Sequence, residues 1–355
     1  MARLPRKQKK YSVLLLKGGI SLAFFGILFS FVQTHELFRY LQHPDWSFLI
    51  ISLMLGPVLL LVSCWKWWII LEIQGYCIKF TTLVRIYCIG YFFSNLLPSM
   101  VGGDVARSFY VGRLIHDHSS AAVSVFIERV TGLILLLVLV VLAPMIRPSL
   151  YLNLFVLLPA CGACVLLGVF WWFWQVHSPL TLPERLSRCI VRLLKGLSEF
   201  RYFAGIKPVA LLAERMHEAL FRKLAQFHRD LVAALSTIRR YPKHFVTIAT
   251  LTGLFYFLTW LNVWIAFRTF GVHRGFWEIS ALVPTIMFVG QMPVTLLGNL
   301  GFFESVYVGY FLLLGIPPEG SLAMGLLMRL KILMLGCMGL CVYLLSRQDG
   351  TIPQE

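Results

Sequence analysis

The sequence predicts an all-α polytopic membrane protein, with about six full spans and two broken or re-entrant elements in an inverted-repeat arrangement. Three observations predict it. The 355-residue chain is 58% hydrophobic and only 14% charged, with a mean hydropathy of +0.77. That is too little charge to cover a soluble domain of this length. Several apolar runs reach the ~20 residues that cross ~30 Å of hydrocarbon. They are continuously apolar, not alternating, which excludes an outer-membrane barrel. Two further runs, one in each half, are interrupted by proline, glycine and acids.

The elements follow in order. The tail MARLPRKQKK is basic and precedes an apolar run over 13–32. This imitates a signal peptide, but its length, Lys17 within it and the lack of a small-residue cleavage site predict an uncleaved first span. Full spans are expected at 47–70, 119–142, 149–174, 244–268 and 319–345. Segment 83–97 runs into one irregular stretch, and 277–315 is broken by another. The first half, 1–174, and the second, 244–355, are joined by a basic linker, 175–243. The linker holds 13 Lys and Arg against 5 Asp and Glu, so the positive-inside rule makes it cytoplasmic, as it does the N-terminus. The two placements agree only if segment 83–104 enters and leaves on one side. Counting onward places the C-terminus in the cytoplasm. Within the linker, 182–200 and 214–235 read as basic amphipathic helices on the anionic headgroups of the cytoplasmic face. They serve either gating or a plain interfacial elbow.

The net charge of +16 therefore belongs to cytoplasmic loops and does not point to nucleic acid. Cys161 and Cys164 have the spacing of a redox or metal motif. They lie inside an apolar span without a second pair, so no disulfide, metal or cofactor is expected.

The irregular stretches carry the chemistry. LLPSMVGGDVAR (96–107) sets Pro98, Gly102, Gly103, Asp104 and Arg107 together after Asn95. MPVTLLGNLGFFES (292–305) answers it with Pro293, Gly298, Gly301 and Glu304. Backbone amides freed by a helix break in hydrocarbon must be satisfied by protein or cavity water. Such breaks therefore point to a polar pocket, and a pair in corresponding positions points to an inverted repeat around a central substrate site. By the span count, the two tips approach the midplane from opposite faces.

Asp104 and Arg107 share a helical face. Asp104 either caps a helix starting near Gly103 or contacts substrate. Arg107 suits a phosphate oxygen, or pairs with Glu128. Glu128 and Arg129 lie inside a span, where a charge costs roughly 2.5–3.5 kcal/mol even on insertion scales. They should face a cavity or pair. Glu304 complements a helix N-terminus, or holds a proton or a cationic headgroup. Arg329 and Lys331 sit mid-run and should face a cavity. Lys66, among Trp65, Trp67 and Trp68, reads as an interface belt.

These residues resemble the lysylphosphatidylglycerol synthase transmembrane-region family, a flippase-like membrane module. The resemblance rests on NLLPSMVGGDVAR (95–107), ERVTG (128–132), MPVTLLGNLGFFES (292–305), and Ala323 with Arg329. Asn299 departs from the glycine-rich loop expected there. The sequence continues only a few residues past its last span, without the synthase domain of bifunctional members, so aminoacyl transfer is not expected and an enzyme is not the first reading. The resemblance implies translocation of a phospholipid or other anionic or aminoacylated lipid across a bacterial inner membrane. Asn95, Pro98, Gly102, Gly103, Asp104, Arg107, Glu128, Arg129, Pro293, Gly298, Gly301, Glu304 and Arg329 are then the candidate substrate residues. The expected partner is a membrane lipid with a phosphate headgroup. A separate lipid-modifying enzyme and a homo-oligomer are both compatible with the sequence. The alternative is a membrane-embedded enzyme or accessory subunit acting on a lipid-linked substrate.

Overall fold

The computed structural model describes residues 32–96, 102–175, 242–292 and 299–348, with isolated positions 24, 26, 30, 226, 230 and 233. Most of the expected first span, nearly all of the linker, both chain ends, and Pro98, Pro293 and Gly298 lie outside the described residues. All regular elements among the described residues are helical.

A short helix, α1 (Thr34–Gln42), occupies what the sequence suggests is a plain loop. Then come α2 (Trp46–Ile73), α3 (Phe80–Leu96), α4 (Gly102–Ile115), α5 (His118–Leu142) and α6 (Leu154–Gln175). Two 3₁₀ turns, Ala143–Ile146 and Pro148–Leu152, separate the last two. The second half contains α7 (Pro242–Thr269), α8 (Phe276–Ser280), α9 (Val283–Gly290), α10 (Phe302–Leu312) and α11 (Pro318–Gln348). Helices α2, α5, α6, α7 and α11 are long and apolar enough to cross a membrane. The chain is a multi-pass helical membrane protein. The 28 residues of α2 extend about 42 Å at 1.5 Å per residue, ample for the hydrocarbon and its interfaces. Helix α5 is capped by Asp117, whose Oδ1 accepts from Ser119 N at 2.9 Å and Ser120 N at 3.1 Å. Partial burial pushes this carboxyl up, but hydrogen bonds from Ser120, Tyr76 and Ser119 outweigh it and hold it below its usual range.

Helices α3 and α4 form one hairpin, α9 and α10 the other. Both pack along α11, from opposite ends. Helix α3 antiparallels the C-terminal part of α11: Phe92 stacks on Tyr343, and Asn95 Nδ2 donates to Ile332 O at 3.0 Å. The approach is very close. A Cβ on Gly339 would lie 2.1 Å from the Cys88 carbonyl oxygen, and one on Gly336 2.3 Å from Asn95 Nδ2. Small residues at such crossings are how membrane helices gain contact without a hydrophobic drive. Helix α10 meets the other half of α11 through Gly325 and Arg329. The tips of the two hairpins therefore reach α11 within one turn of each other, at Arg329 and Ile332, near its middle.

The two halves repeat one plan. Helices α2 and α7 are both 28 residues long. Each half then presents a hairpin whose second leg leads through a turn into a long helix. Helices α4 and α10 begin 200 residues apart (102 and 302), as do α5 and α11 (118 and 318). Helix α9 packs Met287 and Phe288 near Leu136, Leu137 and Val140 in the later half of α5. Helix α3 stands in the same relation to α11.

Candidate functional site

Each hairpin tip presents an acid in the third residue of its second leg, Asp104 in α4 and Glu304 in α10. Each acid pairs with an arginine 25 residues further on. Arg129 Nη2 donates to Asp104 Oδ1 at 2.7 Å. Arg329 Nε donates to Glu304 Oε1 at 2.8 Å. Both arginines are the twelfth residue of a long helix. Helical geometry alone cannot join residues at this spacing. The turn after α4 or α10 must fold the next helix back along it.

At the first tip, the hairpin legs are held together by glycines. A Cβ on Gly103 would lie 2.3 Å from the Gly90 carbonyl oxygen and 2.1 Å from Ser94 Oγ. Asp104 does not cap a helix starting near Gly103. Helix α4 already includes Gly102, so Asp104 lies in its first turn, and its carboxylate turns to the two arginines. Arg107 is only 2% exposed. It donates to Asp104 Oδ1 at 2.5 Å and to Glu128 Oε2 at 2.8 Å, and lies 4.3 Å from the Tyr87 ring centroid and 5.0 Å from that of Trp67. Glu128 Oε1 also accepts from Tyr87 Oη at 2.9 Å. Of the candidate residues at this tip, Arg129 is the cation left open, its side chain 58% exposed.

Lys66 is not at an interface belt. It is buried, and its ammonium donates to the Glu128 carbonyl oxygen at 3.1 Å. The flanking tryptophans concealed this, since Trp67 is itself buried and donates to Ser124 Oγ at 2.9 Å.

At the second tip, Glu304 is 1% exposed. Its Oε2 accepts from the Gly301 amide at 2.8 Å, so it closes the N-terminus of its own helix while Oε1 holds Arg329. Gly301 has φ +85°, a conformation that suits glycine. Asn299 has φ +60°, and its amide donates to Gly290 O at 3.0 Å and Met292 O at 2.6 Å. Asparagine tolerates the left-handed region. It also ties the loop back to α9, which a glycine could not do. Arg329 sits 5.4 Å from the Phe303 ring centroid and donates to Asn299 O at 3.4 Å.

On the far side of α11, Lys331 is 5% exposed. Its ammonium donates to Ser52 Oγ at 2.5 Å, Asn262 Oδ1 at 2.6 Å and Met328 Sδ at 3.7 Å. It faces an enclosed polar contact between helices, not a cavity. Cys161 and Cys164 are exposed on α6, on a wall of an apolar groove with Val141, Met145 and Tyr151.

Fold and site together define a polytopic helical membrane protein in which two helical hairpins, each carrying an acid–arginine pair, reach the middle of α11. The chain matches the lysylphosphatidylglycerol synthase TM region family over residues 14–339 and belongs to it. It is also similar to a UPF0104 membrane protein of Methanocaldococcus jannaschii, 24% identical over 339 residues that cover 91% of each chain. No solved structure matches it.

Proposed function

We propose that the protein translocates a lipid with a phosphate-bearing headgroup between leaflets, with Arg129 as its contact at the first hairpin tip. The supporting observation is an arginine near the middle of a membrane-spanning helix that stays 58% exposed while paired with Asp104. An intramembrane charge is expensive wherever it meets lipid tails. An open guanidinium at this depth is stable if its recess holds water or a polar headgroup. Its remaining N–H groups match phosphate oxygens in geometry and charge. Two opposed tips meeting nearby interrupt the apolar barrier from both faces, and the tails would stay in the bilayer throughout. The sequence carries no Walker-type nucleotide loop, so the drive would come from a lipid, charge or proton gradient. The membrane expected is a bacterial inner membrane with both termini in the cytoplasm.

The test is reconstitution into phosphatidylglycerol-containing vesicles and measurement of headgroup movement between leaflets. Arg129→Gln, folded as judged by thermal unfolding, should slow movement at least tenfold, the effect of losing one charge-assisted contact of roughly 1.5–3 kcal/mol. A wild-type rate in Arg129→Gln overturns the reading. A lipid of altered mass in the product would favour the alternative, an embedded enzyme.

A further inference from the structure

The cations within the helix bundle divide into two kinds. Arg107, Arg129 and Arg329 each meet a carboxylate. Lys66 and Lys331 meet none among the described residues, and their ammonium groups are held by neutral oxygens or sulfur. Arginine stays charged in proteins, whereas a buried lysine can give up its proton. The permanently charged groups are thus neutralised by carboxylates, and the titratable ones are not.

The repeat places both lysines at one kind of position. Lys66 and Asn262 are each the twenty-first residue of α2 and α7. Lys66 faces the Glu128–Thr131 turn of α5, since both its ammonium and the Thr131 hydroxyl donate to Glu128 O. Asn262 faces the corresponding turn of α11, which carries Met328 and Lys331. In the second half the lysine has moved from the supporting helix to the helix that carries Arg329.

We propose that Lys331 is a proton-binding site whose occupancy sets how firmly α11 is held against α2 and α7, and thereby couples the second hairpin to protons. The inference rests on the lipid-translocation reading only for its link to transport. The ammonium has three N–H groups, and three acceptors surround it: Ser52 Oγ, Asn262 Oδ1 and Met328 Sδ. A neutral amine has two N–H groups and a lone pair. On loss of the proton, one acceptor is left unmatched or the Ser52 hydroxyl must turn to donate, and the tie from α11 to its neighbours weakens. Arg329 is two residues away on α11 and Ile332, the contact of Asn95, is one. Among the described residues, the other charged groups do not answer Lys331. At this level α2 and α7 present Ser52 and Asn262, without an ionisable group. Helix α10 brings Glu304 and Tyr307 to the face of α11 around Gly325 and Arg329. Helix α3 brings Asn95 to Ile332 and its Cys88 carbonyl to Gly339. Helix α1 reaches α11 with Tyr40 at Gly320, about three turns away.

The test is hydrogen–deuterium exchange of the α11 segment around Lys331 in the full-length protein. It is run between about pH 6 and pH 9, since burial and neighbours can bring a lysine down into this range, with intrinsic rates corrected. Wild type should exchange about tenfold faster at the high end, the scale of one lost bond to a charged group. Lys331→Met should be fast and pH-independent, and Lys331→Arg should be pH-independent. A pH-independent wild type, or a wild-type pH response retained in Lys331→Met, overturns the proposal. In vesicles, lipid movement should depend on pH in wild type and not in Lys331→Met. A wild type whose α11 responds to pH but which moves no lipid refutes the translocation reading and supports the proton site.

Discussion

At the first hairpin tip Asp104 holds an Arg129 that stays more than half exposed, while at the second Glu304 holds an Arg329 that is buried. The spacing is the same and the bond lengths are 2.7 and 2.8 Å. What differs is the layer beneath. The first half has Arg107 and Glu128 there, a buried ion pair. The second half has Tyr307 and Met328 at the positions 200 residues on, and both are buried and carry no charge. The two members of the pair are exchanged together. The comparison teaches that the acid–arginine pair is common to both halves, while the ion pair behind it occurs in the first half alone among the described residues.

That view is most sharply tested by breaking the pair. Glu128→Ala leaves the buried Arg107 with Asp104 as its remaining carboxylate and takes the acceptor from Tyr87, so the loss should fall toward the low end of the about 3–5 kcal/mol for removing one partner of a buried ion pair. The variant should lose most of its folded yield in detergent. The double change Arg107→Tyr with Glu128→Met copies the second half into the first and should recover much of the loss. Buried pairs are often replaceable by well-packed apolar groups at little cost. Thermal unfolding of the three proteins checks this. A double variant no more stable than Glu128→Ala would show that the halves are not interchangeable here.

A smaller effect separates the acid–arginine pairs themselves. Glu304→Gln leaves Arg329 without its carboxylate and weakens the acceptor of the Gly301 amide, both in a buried site. It should cost about 1.5–3 kcal/mol, the range for bonds to charged groups. Asp104→Asn weakens a bond to an arginine that is more than half exposed. Exposed pairs are worth about 0–1 kcal/mol, although the buried Arg107 also leans on Asp104. The order of the two melting-temperature shifts is the measurement, and a larger shift for Asp104→Asn would reverse the assignment of open and closed tips.

Much of this was legible in the sequence, for reasons that can be named. Apolar run length places α2, α5, α6, α7 and α11. Proline, glycine and acid inside apolar runs locate both tips, because hydrocarbon penalises a bare backbone. The Arg107–Glu128 pair follows from two charges that must find partners. The Asp104–Arg129 and Glu304–Arg329 pairs were less visible, since a 25-residue spacing means nothing until the intervening turn is known. Lys66 was misread because tryptophans beside a lysine mark an interface as readily as a core. Ser52 and Asn262 were missed altogether. A neutral polar residue in an apolar helix usually bonds its own backbone, as Thr252 does, and only the fold brings these two to Lys331.

The smallest predicted difference, between two variants at one position, concerns the loop that closes the second tip. Asn299 adopts φ +60° and bonds two carbonyls of α9 and its continuation. Asn299→Gly keeps the backbone conformation free of strain and loses two hydrogen bonds, each worth about 0.5–1.5 kcal/mol net. The more flexible unfolded chain takes back a few tenths more. Asn299→Ala loses the same bonds and also forces a Cβ into the left-handed region, an added cost of roughly 1 kcal/mol. Alanine should therefore destabilise more than glycine, although alanine is ordinarily the more stabilising of the two. The Arg329 contact to Asn299 uses the main-chain oxygen, so either variant leaves that acceptor in place. The expected result is a lowered melting temperature in the order asparagine, glycine, alanine. Alanine matching or exceeding glycine would mean that the loop relaxes out of its left-handed turn and that the second tip is less firmly closed than its burial suggests.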